Sequence, residues 1–157
     1  MKVLGIDPGY GRLGISVLEG DRQKQRILFS ECFVTDSKED FSKRLLKSIR
    51  RVEAICTEYA PDAVALETLF FSNNQKTAMN VAEVRGALVY LAEDKEIPLA
   101  QYSPQEIKMA VSGYGKSSKA DIATMLTKLL VIPKKKMLDD EYDAIGVALT
   151  HLVSAKH

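Results

Sequence analysis

The sequence contains no tryptophan, and only two cysteines and two histidines occur among its 157 residues. So few cysteine and histidine side chains exclude a disulfide scaffold and a zinc site built from them. No apolar run reaches the roughly 20 residues that a membrane-spanning helix needs, and the first residues lack the apolar core of a signal peptide. We therefore expect a soluble, cytoplasmic protein in which Cys32 and Cys56 are small buried apolar side chains.

An excess of one charge is also missing, because 22 basic residues nearly balance 21 acidic ones. The whole protein is therefore not attracted to polyanions in general. Locally the charges separate: residues 104–136 hold seven lysines and two acids, a net charge of +5, and Asp139, Asp140, Glu141 and Asp143 follow. By charge alone, a solvated lysine face beside a helix N-terminus is the favoured interpretation, with a functional site as the alternative.

The composition, with 46% hydrophobic and 27% charged residues, is that of a globular protein. We expect one domain over residues 1–157. Apolar patterns predict strands at 2–7, 13–18, 25–34, 62–67 and 97–102 and helices at 41–59, 73–94, 104–112, 118–129 and 139–153. Short turns make the first three strands antiparallel, and the βα units add parallel strands. The predicted fold class is α/β, with a mixed five-stranded sheet and helices on both faces.

Capping sequences predict where four of the helices begin. They are Asp36 with Glu39, the run 72–75 (Ser-Asn-Asn-Gln), Ser103 with Pro104 and Glu106, and Ser118.

Two carboxylates stand at strand ends. Asp7 closes the first strand just before Pro8-Gly9, and Glu67 closes the fourth. Ligands of α/β proteins usually bind where neighbouring strands end. An acid that stands alone at a strand end is more often a cap or a solvated side chain than part of a site.

The last predicted helix opens with a run of acids. Asp140 and Asp143 are three positions apart and share a helix face. Asp143 precedes an apolar stretch that marks a packed side, so its carboxylate needs a partner. We expect Asp139 to be the N-cap and Glu141 to be exposed.

These acids together suggest a hard-cation site. Crowded carboxylates repel one another unless a cation lies between them. A donor set of oxygens alone selects Mg²⁺ or Mn²⁺ over zinc. His151 lies about 12 Å further along the helix, so we interpret it as an ordinary polar side chain.

Several blocks of sequence along nearly the whole chain form a recognisable set. They are Val3–Gly9, Ala65–Glu67 with Phe70, Ala82–Ala87, Ser103-Pro104 with Ile107-Lys108, Gly113–Gly115 with Lys119, and Asp140–Ala148 followed by Thr150-His151. Together these blocks resemble the RuvC family of Holliday junction resolvases.

The resemblance implies a ribonuclease-H-like fold and a Mg²⁺-dependent endonuclease. It implies a homodimer, paired through the helix that begins near Asn73, and a four-way DNA junction as substrate. It also implies partner proteins, namely a junction-binding tetramer and a branch-migration ATPase, and a bacterial cytoplasm and nucleoid as the location.

The resemblance also assigns roles to residues. The implied metal ligands are Asp7, Glu67, Asp140 and Asp143, although some family members have histidine where Asp140 stands. Lys108 and Lys119 would lie near the scissile phosphate, with Lys116 among the DNA contacts. Phe70 would meet bases at the junction centre, and we expect only one of Phe70 and Phe71 to face DNA.

The implied mechanism uses two Mg²⁺ ions about 4 Å apart, one on each side of the scissile phosphate. Asp7, on the central strand, is the best candidate to bridge them. Lys119 would offset charge in the transition state, and the product would carry a 5′-phosphate.

Other functions stay open at this point. A ribonuclease-H-fold nuclease acting on RNA and a junction-binding protein that does not cleave would carry similar surfaces. A phosphate loop of actin-like kinases also resembles residues 7–14, but such kinases need a second lobe. Residues 110–117 match a P-loop only loosely, because a helix is predicted before them where a strand is required.

Overall fold

The computed structural model describes residues 1–68 and 75–155. Its strands are β1 (Lys2–Asp7), β2 (Arg12–Gly20), β3 (Gln25–Val34), β4 (Ala63–Glu67) and β5 (Leu99–Tyr102). Its helices are α1 (Phe41–Tyr59), α2 (Gln75–Asp94), α3 (Pro104–Ser112), α4 (Lys119–Leu129) and α5 (Asp139–Ser154). Within these two ranges no helix is long and apolar enough to cross a membrane.

The strands form one mixed sheet in the order β3-β2-β1-β4-β5. Strand β2 pairs antiparallel with β1 and with β3, whereas β4 pairs parallel with β1 and with β5. Short turns join the antiparallel strands, and α1 and α2 supply the crossovers that parallel pairing requires. The predicted α/β architecture is confirmed, with β1 in the centre of the sheet.

Each face of the sheet packs against its own helices. Leu4 and Ile6 of β1 belong to a core with α1 and α2, whereas Val3 belongs to a second core with α3, α4 and α5. Because side chains alternate along a strand, Asp7 shares the face of Val3. Glu67 shares the face of Ala65, which also belongs to the second core. Both strand-end acids therefore face α5.

Two glycines let α5 lie directly on the sheet. A methyl group at Gly5 would overlap the carbonyl oxygen of Ala144, and one at Gly14 would overlap that of Asp140. Between them, the Ser16 hydroxyl donates to the Ala144 carbonyl at 2.9 Å. Together these three contacts fix the distance between the start of α5 and the strands β1 and β2.

Two helix starts agree with the sequence. Ser103 and Glu106 form a complete capping box at α3, and Ser118 and Asp121 form one at α4. The loose P-loop match at 110–117 therefore does follow a helix. Residues 72–74, the expected cap of α2, lie outside the described residues.

The predicted caps of α1 and α5 are wrong. The Asp36 carboxylate accepts a hydrogen bond from the Lys38 amide at 2.9 Å, which closes a local turn before α1. The N-cap of α1 is Asp40, without a side-chain cap bond. Helix α5 begins at Asp139 itself, so Leu138 is its N-cap, and an apolar side chain cannot accept a cap bond.

We expect Gly14→Ala to lower the free energy of unfolding by about 2 to 3 kcal/mol or more, because the helix backbone must move away from the strand. Gly86→Ala is the control. A methyl group there meets nothing within 4 Å, and alanine in a helix should gain roughly 0.5 to 1 kcal/mol. Urea unfolding of both variants measures the difference, and equal stabilities would contradict the close approach of α5.

Candidate active site

A cleft of about 340 Å³ lies where β1 and β4 end, beside helices α3, α4 and α5. Five residues predicted from the sequence line it together. The lining residues are Asp7, Glu67, Pro104, Ile107, Lys108, Lys119, Ile122, Asp143 and Gly146.

Asp7 and Glu67 lie side by side in the floor of the cleft. The β1–β4 register pairs Ile6 with Leu66 and so places the next two residues together. Burial, followed by the negative charges of Glu67 and Asp143, raises the pKa of Asp7 to about 8. Burial also raises the pKa of Glu67, which accepts a hydrogen bond from Asp7. The two carboxyl groups therefore compete to be ionised, and one proton between them relieves the repulsion.

Asp143 and Lys119 form an ion pair at the rim of the cleft. Lys119 Nζ lies 2.8 Å from Asp143 Oδ2, and this hydrogen bond raises the pKa of Lys119. The capping box at Ser118 fixes the start of α4, where Lys119 is the first residue. Lys108 reaches the same cleft from α3. Two cations therefore stand beside three carboxylates.

Asp140 points away from the other three acids. Its Oδ2 lies 3.1 Å from Arg12 Nε and 3.9 Å from Cys32 Sγ. Its negative charge raises the pKa of Asp7 less than the charges of Glu67 and Asp143 do. The structure thus places three of the predicted acids in the cleft and leaves Asp140 beside it, paired with Arg12.

The remaining sequence predictions have mixed outcomes. Lys116 is exposed between α3 and α4 and does not line the cleft. The predicted exposure of Glu141 is wrong, because it is buried and paired with Lys135. Cys56 is buried as expected, but Cys32 is only half-buried. Phe70 and Phe71, the predicted aromatic contacts, lie outside the described residues.

Sequence reasoning missed Arg12 and Lys135 as partners of the acid run. Arg12 begins β2 and Lys135 lies between α4 and α5, far along the chain from each other. Periodic patterns in a sequence reveal only neighbours on the same helix or strand. The contacts of Arg12 with Asp140 and of Lys135 with Glu141 exist because α5 crosses β2 and β3, and local sequence does not encode that crossing.

The donor set of the cleft fits a hard divalent cation. The polar side chains that line it are carboxylates and lysines, without a cysteine or histidine, and oxygen donors select Mg²⁺ or Mn²⁺. Within residues 1–68 and 75–155, however, no group of three or more Asp, Glu, Cys or His side chains is already arranged to hold one metal ion. Binding of a metal ion by these side chains would therefore require side-chain rotation.

Comparison with known proteins identifies the family. The family model described as crossover junction endodeoxyribonuclease RuvC matches residues 3–151. The chain belongs to this family. A relative of that name from Syntrophomonas wolfei is 37% identical over 98% of this chain and 90% of its own length. Another, from Petrotoga mobilis, is 38% identical over 96% of this chain and 93% of its own.

Solved structures agree with this assignment. RuvC of Thermus thermophilus, solved in complex with a Holliday junction substrate, superposes with a TM-score of 0.89 at 32% identity. The match covers 96% of this chain and 92% of that one. The yeast mitochondrial Holliday junction resolvase, at 17% identity and a TM-score of 0.71, shares the fold. The ribonuclease-H-like fold expected from the sequence is confirmed.

We expect Asp7→Asn to stabilise the fold in a pH-dependent way. An acid whose pKa is higher in the folded protein costs stability as pH rises from 3.8 to about 8, because the unfolded chain ionises first. The variant should therefore melt a few degrees above wild type at pH 8, and the gain should vanish near pH 4.

Asp139→Asn, which changes an exposed carboxylate, is the control for this series. Melting curves without divalent ions at pH 4, 6 and 8 provide the measurement. If Asp7→Asn gave the same shift at every pH, the crowding of buried carboxylates would be contradicted.

Proposed function

We propose that this chain is a Mg²⁺-dependent endonuclease that resolves four-way DNA junctions by paired, symmetric nicks in recombination and repair. The observation that carries the proposal is the cleft in which Asp7, Glu67 and Asp143 meet Lys108 and Lys119. Carboxylates beside cations are what metal-assisted phosphodiester hydrolysis needs. The family name supplies the substrate class, and the Thermus relative supports it as a protein solved with a Holliday junction.

The four acids would hold the metal, with Mn²⁺ able to replace Mg²⁺. A bound ion supplies an activated water and stabilises the leaving oxygen. Asp7, at the end of the central strand β1, would be the best candidate to hold both ions. Asp140 would join after it separates from Arg12. The products would carry 5′-phosphate and 3′-hydroxyl ends.

The two lysines would orient the scissile phosphate. The Lys119 side chain is 71% exposed, yet its ammonium group is held by Asp143. It can therefore reach a phosphate oxygen while remaining fixed next to a carboxylate. Such charge-assisted contacts stabilise negative charge that grows in the transition state.

A homodimer would explain selectivity for junctions. A C2 dimer presents two equal sites at a fixed separation, which matches the symmetry of a four-way junction and not that of a linear duplex. Helix α2 supports this role, because Met79 and Tyr90 leave 66% and 70% of their surface exposed. Large exposed apolar side chains on one helix favour an interface.

Other expectations from the resemblance stay predictions. They are DNA contacts by Phe70 and Lys116, the junction-binding tetramer and branch-migration ATPase as partners, and a location in the bacterial cytoplasm and nucleoid.

The first test compares cleavage of four-way junctions, linear duplex, single strands and RNA–DNA hybrid, in Mg²⁺ and in EDTA. We expect rapid cleavage of the junction alone, and only with metal. Asp7→Asn should bind junctions as tightly as wild type but cleave them about 100-fold more slowly or worse. Lys119→Ala should also lose cleavage. Lys116→Ala, outside the cleft, should weaken junction binding but keep the cleavage rate at saturating junction. Preferred cleavage of the RNA–DNA hybrid would favour a nuclease that acts on RNA. Binding of the junction without cleavage would favour a junction-binding protein that does not cleave.

A second test addresses the acid run of α5. Residues three apart on a helix are separated by about 60° of rotation, so Asp140 and Asp143 can turn toward one site. Asp140→Asn and Asp143→Asn should each reduce cleavage by orders of magnitude at saturating junction. Asp139 is exposed, so Asp139→Asn should be nearly silent. Loss of cleavage in Asp139→Asn alone would show that the assignment is displaced by one residue.

A further inference from the structure

Glu141 is a charged side chain buried among the catalytic acids of α5. Only 3% of its surface is exposed, although it lies in the first turn of the helix. Lys135 Nζ lies 2.6 Å from its Oε1, as an ion pair rather than an aligned hydrogen bond. The same ammonium group donates to the carbonyl oxygen of Ser30 at 2.7 Å.

This pair joins three parts of the chain. Lys135 lies between α4 and α5, Ser30 belongs to the edge strand β3, and Glu141 belongs to α5. Two residues beyond Ser30 on the same face of β3, Cys32 contacts Asp140. The contact at Lys135 is therefore adjacent to one of the proposed metal ligands.

Stability alone does not account for an ion pair with a buried carboxylate here. Removing the Glu141 charge from water costs several kcal/mol, although the Lys135 side chain stays 45% exposed. Apolar side chains of similar size often serve a fold equally well. What an ion pair adds is a defined position, because its charges tolerate few alternative arrangements.

The first turn of α5 needs such a positional constraint. Its N-cap is Leu138, which makes no side-chain cap bond, so the turn lacks the usual anchor. The close contact at Gly14 sets how near the helix lies to β2, and the buried residues between Ala144 and Leu152 fix the rotation of the body of α5. The first turn precedes these residues, and the Lys135–Glu141 contact ties it to β3.

We propose that Lys135 and Glu141 form a positioning pair, which holds the first turn of α5 in place and thereby sets the directions of Asp140 and Asp143. Neither residue touches the substrate in this role; both act through the two aspartates. The inference rests on the proposed function for its effect on cleavage, and on the geometry alone for its effect on metal binding.

The decisive variant is the double substitution Lys135→Met with Glu141→Leu, which replaces the ion pair with apolar side chains of similar size. The matched control is Arg51→Met with Glu31→Leu. Arg51 Nε lies 2.7 Å from Glu31 Oε2, and Glu31 is next to Ser30 on β3 but on the alternate face. Both pairs join β3 to another segment, and only one adjoins the acid run.

Three quantities are measured for each protein: the urea midpoint, the single-turnover cleavage rate at saturating junction, and Mn²⁺ affinity by electron paramagnetic resonance without DNA. We expect the Lys135/Glu141 variant to remain folded and bind junctions, to cleave at least 10-fold more slowly, and to bind Mn²⁺ several-fold more weakly. The Arg51/Glu31 variant should match wild type in rate and Mn²⁺ affinity.

Each other result overturns the proposal. A folded Lys135/Glu141 variant with wild-type rate and Mn²⁺ affinity shows that the pair does not position the acids. A variant that is unfolded under assay conditions shows a role in stability instead. If wild type itself does not cleave junctions, the proposed function fails, and the Mn²⁺ affinities still decide whether the pair orients the carboxylates.

Discussion

The close contact between α5 and the central strands is the constraint on which the site depends. It exists because Gly5 and Gly14 leave room for the backbone of the helix. Without it, the acids of α5 could not approach Asp7, which is fixed at the end of β1. A strand end gives one carboxylate a rigid position, and a packed helix brings others to it from a distant part of the chain. The positions of the acids of α5 relative to Asp7 are thus set mainly by the packing of the backbone.

The same packing creates an electrostatic problem. Three carboxylates share a partly buried cleft, and the pKa of Asp7 is raised first by burial and then by repulsion from Glu67 and Asp143. Lysines relieve part of it, and Arg12 holds the remaining acid to one side. A cleft of this kind favours any cation that can lie between the carboxylates. The repulsion between the carboxylates therefore both destabilises the empty cleft and favours the binding of a cation there.

Much of this arrangement could be predicted from the sequence, and the two failures among the acids of α5 that involve Glu141 and Asp140 share one cause. Capping boxes at Ser103 and Ser118 are local, so four residues suffice to predict them. Alternation along β1 and β4 likewise places Asp7 and Glu67 at strand ends. Glu141 was wrongly predicted as exposed, because its burial depends on Lys135 and on strand β3, which no local pattern includes. The pairing of Asp140 with Arg12 escaped prediction for the same reason.

The order of the elements along the chain has a consequence for synthesis. The cleft combines Asp7, from the first strand, with Asp143, from the last described helix. During translation the antiparallel strands can pair early, because their contacts are local, whereas α5 emerges after the rest of the sheet. A nascent chain that still lacks α5 exposes the glycine-lined surface of β1 and β2 but has only part of its acids. The complete set of cleft residues would then come together only after α5 has packed against the sheet.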